Sequence, residues 1–264
     1  MSPAAVQPPL DLDPPDVVSC KCCGARAAAC GVVDFNRSCE DGRAAPPFAP
    51  AGIGVPYHRC AECGFLFTVA FDALAPDEFA RHVYNDDYVR VDPDFTGVRP
   101  RDNAQWLASL FPAAGGRAFL DYGGGNGMLA ALLRDGGWSR SVSYDPYHPE
   151  GGGRPAGRFD IVTAFEVLEH MTSPEAALRD MRWFLDDGGI VVFSTLLQPA
   201  DIARQGLGWW YVAPRNGHVS LFSRAALDAL MRRLGLQWGS FSDVTHIAYR
   251  RRLPRFAAHL AGGG

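Results

Sequence analysis

No stretch of the 264-residue sequence carries the roughly 18–20 consecutive apolar residues that a membrane-spanning helix needs, because glycine, proline or charge interrupts every apolar run. The N-terminal residues also lack a basic stretch followed by an apolar core. No secretory leader is therefore read there, and residues 1–18, proline-rich and bearing aspartates, are expected to be a disordered lead-in. Excess positive charge is missing too. With 25 Lys and Arg against 29 Asp and Glu, the formal net charge is −4, which removes the electrostatic reason to expect nucleic acid as a partner. The basic tail at 251–264, preceded by Arg250 and containing Arg251, Arg252 and Arg255, reads as a solvated end. Cysteine is absent after residue 63. Without a leader the expected compartment is the cytoplasm, where thiols stay reduced, so the seven cysteines before that point need an explanation other than disulfides.

Along the chain, residues 19–70 hold every cysteine and read as short strands and turns. Residues 71–112 read as a helical connector. Pro76-Asp77-Glu78-Phe79 resembles a helix start, Asn103–Phe111 has helical spacing, and Tyr84–Tyr88 and Asp92-Pro93-Asp94 form loops between them. From 113 to 250 strands and helices alternate. The strands are Arg117–Tyr122, Ser141–Tyr144, Phe159–Phe165, Ile190–Thr195, Leu236–Phe241 and Val244–Tyr249. The helices are Met128–Arg134, Pro174–Leu185 and Ser223–Leu234, with Ser223 as an N-cap and Gly188-Gly189 as a turn. That alternation predicts an α/β fold with a largely parallel, Rossmann-like sheet covered on both faces.

Directly after the first of these strands stands Asp121-Tyr122-Gly123-Gly124-Gly125-Asn126-Gly127. Glycines there let backbone approach a ligand where a Cβ would collide, at the strand edge where open α/β sheets bind ligands. The next strand ends in Asp145, an acid placed to accept hydrogen bonds from both ribose hydroxyls of an adenosine. A dinucleotide site needs Gly-x-Gly-x-x-Gly with the pyrophosphate on a helix N-terminus. Here Gly123, Gly125 and Gly127 alternate and Asp121 precedes them. A carboxylate at that point repels a pyrophosphate but suits a cofactor with an amino group and a sulfonium, which points to S-adenosylmethionine (SAM).

The pieces DYGGGNG, SYDPY, FDIVTAFEVLEHM and LDDGGIVVFSTL resemble those of the class I SAM-dependent methyltransferases over about residues 80–250. The resemblance implies a seven-stranded sheet with one antiparallel strand near the edge. It also implies that Gly123, Gly125 and Gly127 line the cofactor, that Asp145 binds the ribose and that Phe165 passes beside it. Tyr84, Tyr88 and Arg99 are expected to reach the cofactor from the preceding segment.

Cys20-Lys21-Cys22-Cys23-Gly24 and Cys60-Ala61-Glu62-Cys63-Gly64 each contain Cys-x-x-Cys-Gly. Two such knuckles can surround one Zn²⁺ tetrahedrally, with Cys20, Cys23, Cys60 and Cys63 as ligands and the metal replacing a core that so short a module cannot build. Cys22 is a substitute ligand in principle, and Cys30 and Cys39 read as ordinary thiols. A zinc module ahead of such a domain also resembles bacterial enzymes that methylate sugars and natural products.

Glu166-Val167-Leu168-Glu169-His170 follows the third strand. If a helix starts there, Glu166, Glu169 and His170 share one face, and His218 on a later loop can join them. Such a set suits a second divalent ion that chelates a vicinal diol, as in the metal-using small-RNA 2′-O-methyltransferases and the catechol O-methyltransferases of ubiquinone synthesis that the segment resembles. It equally suits His170 or His218 as a general base without metal, on an oxygen, carbon or nitrogen acceptor. The aromatic run Gln205–Tyr211 reads either as a wall over the acceptor or as a lid packed on the core. The expected activity is O-methylation of a small polyhydroxylated acceptor, sugar-like or a natural product, with a divalent metal chelating the acceptor as one option and metal-free C- or N-methylation as the alternative. A zinc-ribbon adaptor with a non-catalytic SAM-like domain is the alternative from another class.

Overall fold

The computed structural model describes residues 10–39, 45–146 and 153–262. The N-terminal part forms β1 (Val17–Ser19), β2 (Arg26–Asp34), β3 (Gly54–Cys60) and β4 (Leu66–Phe67). Helices α1 (Pro76–Val83), α2 (Tyr88–Val91) and α3 (Val98–Leu110) follow. The alternating part runs β5 (Ala118–Tyr122), α4 (Met128–Asp135), β6 (Arg140–Tyr144), β7 (Phe159–Ala164), α5 (Pro174–Phe184) and β8 (Leu185–Ser194). It ends with α6 (Ile202–Gln205), β9 (Ser220–Leu221), α7 (Arg224–Arg233), β10 (Gln237–Ser240) and β11 (Thr245–Tyr249).

The main sheet has the order β10-β11-β8-β7-β5-β6, in which β11 alone runs antiparallel to its neighbours. It contains six strands among the described residues, one fewer than the family resemblance implies, although the antiparallel strand stands next to the edge as expected. Both faces of its centre are buried. Ala118, Leu120 and Tyr122 of β5 pack with α5 and α7, while Phe119 packs with α3 and α4. Successive strand residues point to opposite faces, so a strand covered on both sides reads as an unbroken apolar run. Ser223 caps α7 as its spacing predicts, its hydroxyl accepting from the Ala226 N–H at 2.9 Å.

Several local expectations are corrected. Gly188-Gly189 lies inside β8, where the pairing with β7 shifts register, and a Cβ on Gly189 would meet the Phe159 carbonyl at 2.7 Å. The lead-in is ordered from Leu10: that side chain packs against the core, Asp11 N–H donates to Ala70 O at 3.0 Å, and Val17–Ser19 is strand. Residues 1–9 lie outside the described residues. Arg250 is not a free solvated end either. Its guanidinium donates to the Arg182 and Leu185 carbonyls and to Asp187.

The cysteine-bearing strands form an antiparallel sheet ordered β1-β2-β3-β4-β9, so its last strand comes from beyond the glycine loop. Phe65 stacks on Phe67 and packs at a tilt against Phe222, each at 5.0 Å between ring centres, joining this sheet to the start of α7. All three rings are fully buried, and truncating one such ring costs about 3–5 kcal/mol. No helix among the described residues is long and apolar enough to cross a membrane.

Candidate functional site

The carboxyl ends of β5, β6 and β7 open onto a cleft of about 770 Å³. It lies where the chain order reverses on either side of β5, the position at which open α/β sheets take ligands. Asp121, Gly123, Gly125, Asp145, Phe165, Tyr84, Tyr88 and Arg99 all line it, as do Glu166 and His170. Gly127 does not. It adopts the left-handed conformation at φ 73° and starts α4, so it shapes the loop from outside the cleft wall.

Asp121 is buried at the end of β5, and its Oδ1 accepts from the Thr163 hydroxyl at 3.0 Å. Burial pushes its carboxyl up to about 7, against the Thr163 hydrogen bond and with the help of nearby Asp145. Asp145 in turn accepts from the Gly125 N–H at 3.0 Å, which ties the second strand's acid to the loop. The glycine that spacing does not single out is Gly124. A Cβ there would stand 2.4 Å from Asp121 Oδ2 and 2.3 Å from Ser143 Oγ, so a side chain cannot be added without moving the acid.

The segment after β7 is not an α-helix. Glu166 has φ 53°, the only non-glycine positive φ among the described residues, and Leu168–His170 is a single 3₁₀ turn. Ser194 at the end of β8 holds this kink: its hydroxyl accepts from the Glu166 N–H and donates to Glu166 Oε1, each at 2.7 Å. Because the turn is not helical, the expected shared face does not form. Glu166 points along the cleft, whereas Glu169 turns inward, is fully buried, and accepts at Oε1 from the Tyr211 hydroxyl.

Glu169 meets His170 and His218 instead, one ligand-type atom from each lying within 4.8 Å of the others. His170 Nδ1 is 3.2 Å from the Gly217 carbonyl, and His218 Nδ1 is 2.9 Å from the Tyr211 carbonyl. A carbonyl can only accept, so each Nδ1 carries the proton and each Nε2 keeps its lone pair. Burial, with His218 beside it, holds His170 well below the ordinary histidine range, and burial pushes His218 down to about 4. Both rings are therefore neutral at pH 7. Burial and the neighbouring Glu166 charge push Glu169 up, and its Oε2 has no hydrogen-bond partner. Gly217, at φ 82°, allows the close approach, since a Cβ there would lie 3.0 Å from His170 Nδ1. Of the four predicted catalytic residues, Glu166 and His170 face the cleft, while Glu169 and His218 form a layer behind it.

The aromatic run does not wall the cleft. Trp209 and Tyr211 are buried in the core, the Tyr211 ring lies 4.1 Å from that of His218, and none of Gln205–Tyr211 lines the cavity. His58 and His246 are buried with backbone carbonyl partners, and His148 lies outside the described residues.

The four knuckle cysteines converge, with Cys20 and Cys63 sulfurs 3.6 Å apart and those of Cys23 and Cys60 3.5 Å apart. In each knuckle the glycine N–H returns to the first cysteine's carbonyl, Gly24 to Cys20 at 2.9 Å and Gly64 to Cys60 at 3.0 Å. Cys22 is buried but is not part of this group, and Cys39 lies 3.6 Å from His218 Nδ1.

Residues 95–238 match the family described as a methyltransferase domain. Similar proteins include the ubiquinone biosynthesis O-methyltransferase of Xanthomonas axonopodis pv. citri, 36% identical over 103 residues that cover 37% of this chain and 43% of that protein. The protein of the same name from Bordetella avium is 28% identical over 177 residues, covering 54% of this chain and 73% of that one. The chain thus spans less than half the length of the first of these relatives. An O-methyltransferase family protein from Burkholderia thailandensis superposes with a TM-score of 0.48 at 14% identity, covering 67% of this chain and 64% of that one. The matched region is more than half of the chain and encloses the glycine loop, Asp145 and the Glu166–His170 turn, and on that ground the chain belongs to the methyltransferase-domain family.

Proposed function

We propose that the chain methylates an oxygen of a small polyhydroxylated acceptor, sugar-like or phenolic, with His170 receiving the acceptor's proton. One observation carries this reading: His170, a neutral imidazole whose Nδ1 is held by the Gly217 carbonyl, lines the same cleft as Asp121, Gly125 and Asp145. The names of the similar O-methyltransferases support oxygen as the acceptor atom.

SAM supplies an electrophilic methyl on a sulfonium. Asp121 offers a buried carboxylate to its ammonium, Asp145 accepts from the ribose hydroxyls, and Gly123 and Gly125 admit close backbone approach. Phe165, Tyr84 and Tyr88 give apolar faces that exclude water, and Arg99 is held at the rim by its paired bonds to Asp92 at 2.9 and 3.0 Å. The acceptor hydroxyl gives its proton to His170 Nε2 as its oxygen takes the methyl, leaving a neutral thioether.

A structural Zn²⁺ held by Cys20, Cys23, Cys60 and Cys63 is part of the reading. The sulfur separations of 3.5 and 3.6 Å are close to the roughly 3.8 Å edge of a tetrahedron with Zn–S bonds of about 2.3 Å. The unpartnered Glu169 Oε2 favours a second reading, in which Glu169, His170 and His218 hold a divalent ion that lowers the acceptor hydroxyl's pKa. Glu166 stands outside that set.

The test is methyl transfer from labelled SAM to a catechol and to a methyl glycoside as probe acceptors. His170→Gln should lower kcat by about 10²–10⁴-fold with SAM affinity unchanged, and EDTA should leave turnover intact. Loss of turnover in EDTA, restored by a divalent ion and abolished in Glu169→Gln, selects the metal reading. Transfer only to carbon or nitrogen acceptors would sink both.

A further inference from the structure

The sheet that carries the cysteines reaches across to the segment behind His170, and one side chain makes three of the contacts. Arg37, just after β2, donates from Nη1 to the Leu207 carbonyl at 2.5 Å and from Nη2 to the Gly208 and Trp209 carbonyls at 3.1 Å each. Three consecutive carbonyls are thereby held by one planar guanidinium, a geometry a lysine ammonium cannot reproduce. The same stretch is tied by backbone, with Arg215 N–H donating to Arg37 O at 3.0 Å and Cys39 N–H to Asn216 Oδ1 at 2.8 Å. Tyr57 of β3, fully buried, adds its hydroxyl to the His218 carbonyl at 2.8 Å. Downstream, Val219 N–H donates to Glu169 O at 2.9 Å, which links the held segment to the turn bearing His170.

We propose that Arg37 is a positioning residue for methyl transfer: its guanidinium clamps residues 207–209, so that Tyr211, His218 and Glu169 keep His170 in register with the cleft. The proposal rests on the reading of His170 given above. Arg37 itself does not line the cleft, and nothing from this sheet bonds the glycine loop among the described residues. The clamp therefore acts on the acceptor side and leaves the cofactor side alone. Carbonyls at 207–209 that lose their donors free a short turn that the Leu207 side chain and the Trp209 ring still anchor to the core.

The experiment measures amide hydrogen exchange in the full chain bound to S-adenosylhomocysteine, which needs no acceptor. Arg37→Ala should speed exchange at 207–218 by about tenfold, leave residues 121–127 protected as in the parent and leave the affinity for S-adenosylhomocysteine unchanged. Millimolar guanidinium ion should restore the slow exchange, a rescue that general destabilisation would not show. Tyr57→Phe, which deletes one hydroxyl, should reproduce the change at 218–219 alone. In the transfer assay the Arg37→Ala variant should lose kcat and keep KM for SAM. Unchanged exchange at 207–218, a uniform increase along the chain, absence of rescue, or full kcat with a loosened segment would each overturn the proposal. Failure of methyl transfer in the parent protein would instead sink the reading of His170, while the exchange result would still report on the clamp.

Discussion

Asp121 shows how a single buried acid ties burial to binding. With its carboxyl pushed up to about 7 by burial, it is roughly half protonated at neutral pH in the ligand-free chain. A cationic partner favours the ionised form, so SAM binding should release a proton and tighten as pH rises from about 6 to 8. The rise should taper near pH 8, where an α-amino group itself begins to lose its proton. Asp121→Asn should abolish this dependence and weaken binding about tenfold, which calorimetry in buffers of different ionisation heat reads directly. Gly124→Ala should be equally damaging, because its methyl would strike Asp121 and Ser143, whereas Gly116→Ala, with open space around it, should bind as the parent does. His170 gives a kinetic counterpart. Because burial holds its pKa low, the acid limb of kcat should fall well below pH 6.5, and a limb at or above that value would contradict the assignment.

Among elements, those whose role follows from pattern alone were legible and those defined by contact were not. The apolar runs of β5, β7 and β8 and the Ser223 cap of α7 stand within a few residues of where periodicity puts them. The Glu166–His170 segment differs because a serine on β8, 28 residues away, takes the Glu166 N–H and stabilises a backbone conformation that helix spacing cannot anticipate. Likewise β4 and β9 are two residues each and pair across more than 150 positions, too short for any alternation to reveal. That pairing makes the cysteine sheet a support for the site. Cys63→Ser should release bound zinc, measured by metal analysis, and lower the unfolding midpoint by several degrees for each kcal/mol lost. A protein that folds with no zinc and an unchanged midpoint would refute the structural metal.

For the whole molecule, chemistry at the cofactor side could be read from residue types, because Asp121, the glycines and Asp145 are close in sequence and lie at the carboxyl ends of two neighbouring parallel strands. Every predicted cofactor residue except Gly127 lines the cleft. The acceptor side could not be read so far, since it assembles Glu169, His170, Tyr211, Gly217, His218 and Arg37 from three distant segments. The central claim, that this cleft is a SAM site built on Asp121 and Asp145, is tested most directly by calorimetric titration of SAM into the parent and Asp145→Ala proteins. Saturable one-to-one binding, weakened at least tenfold (about 1.4 kcal/mol) in the variant, is the predicted result. Folded parent protein that takes up no SAM, or an Asp145→Ala variant that binds as tightly as the parent, would contradict it.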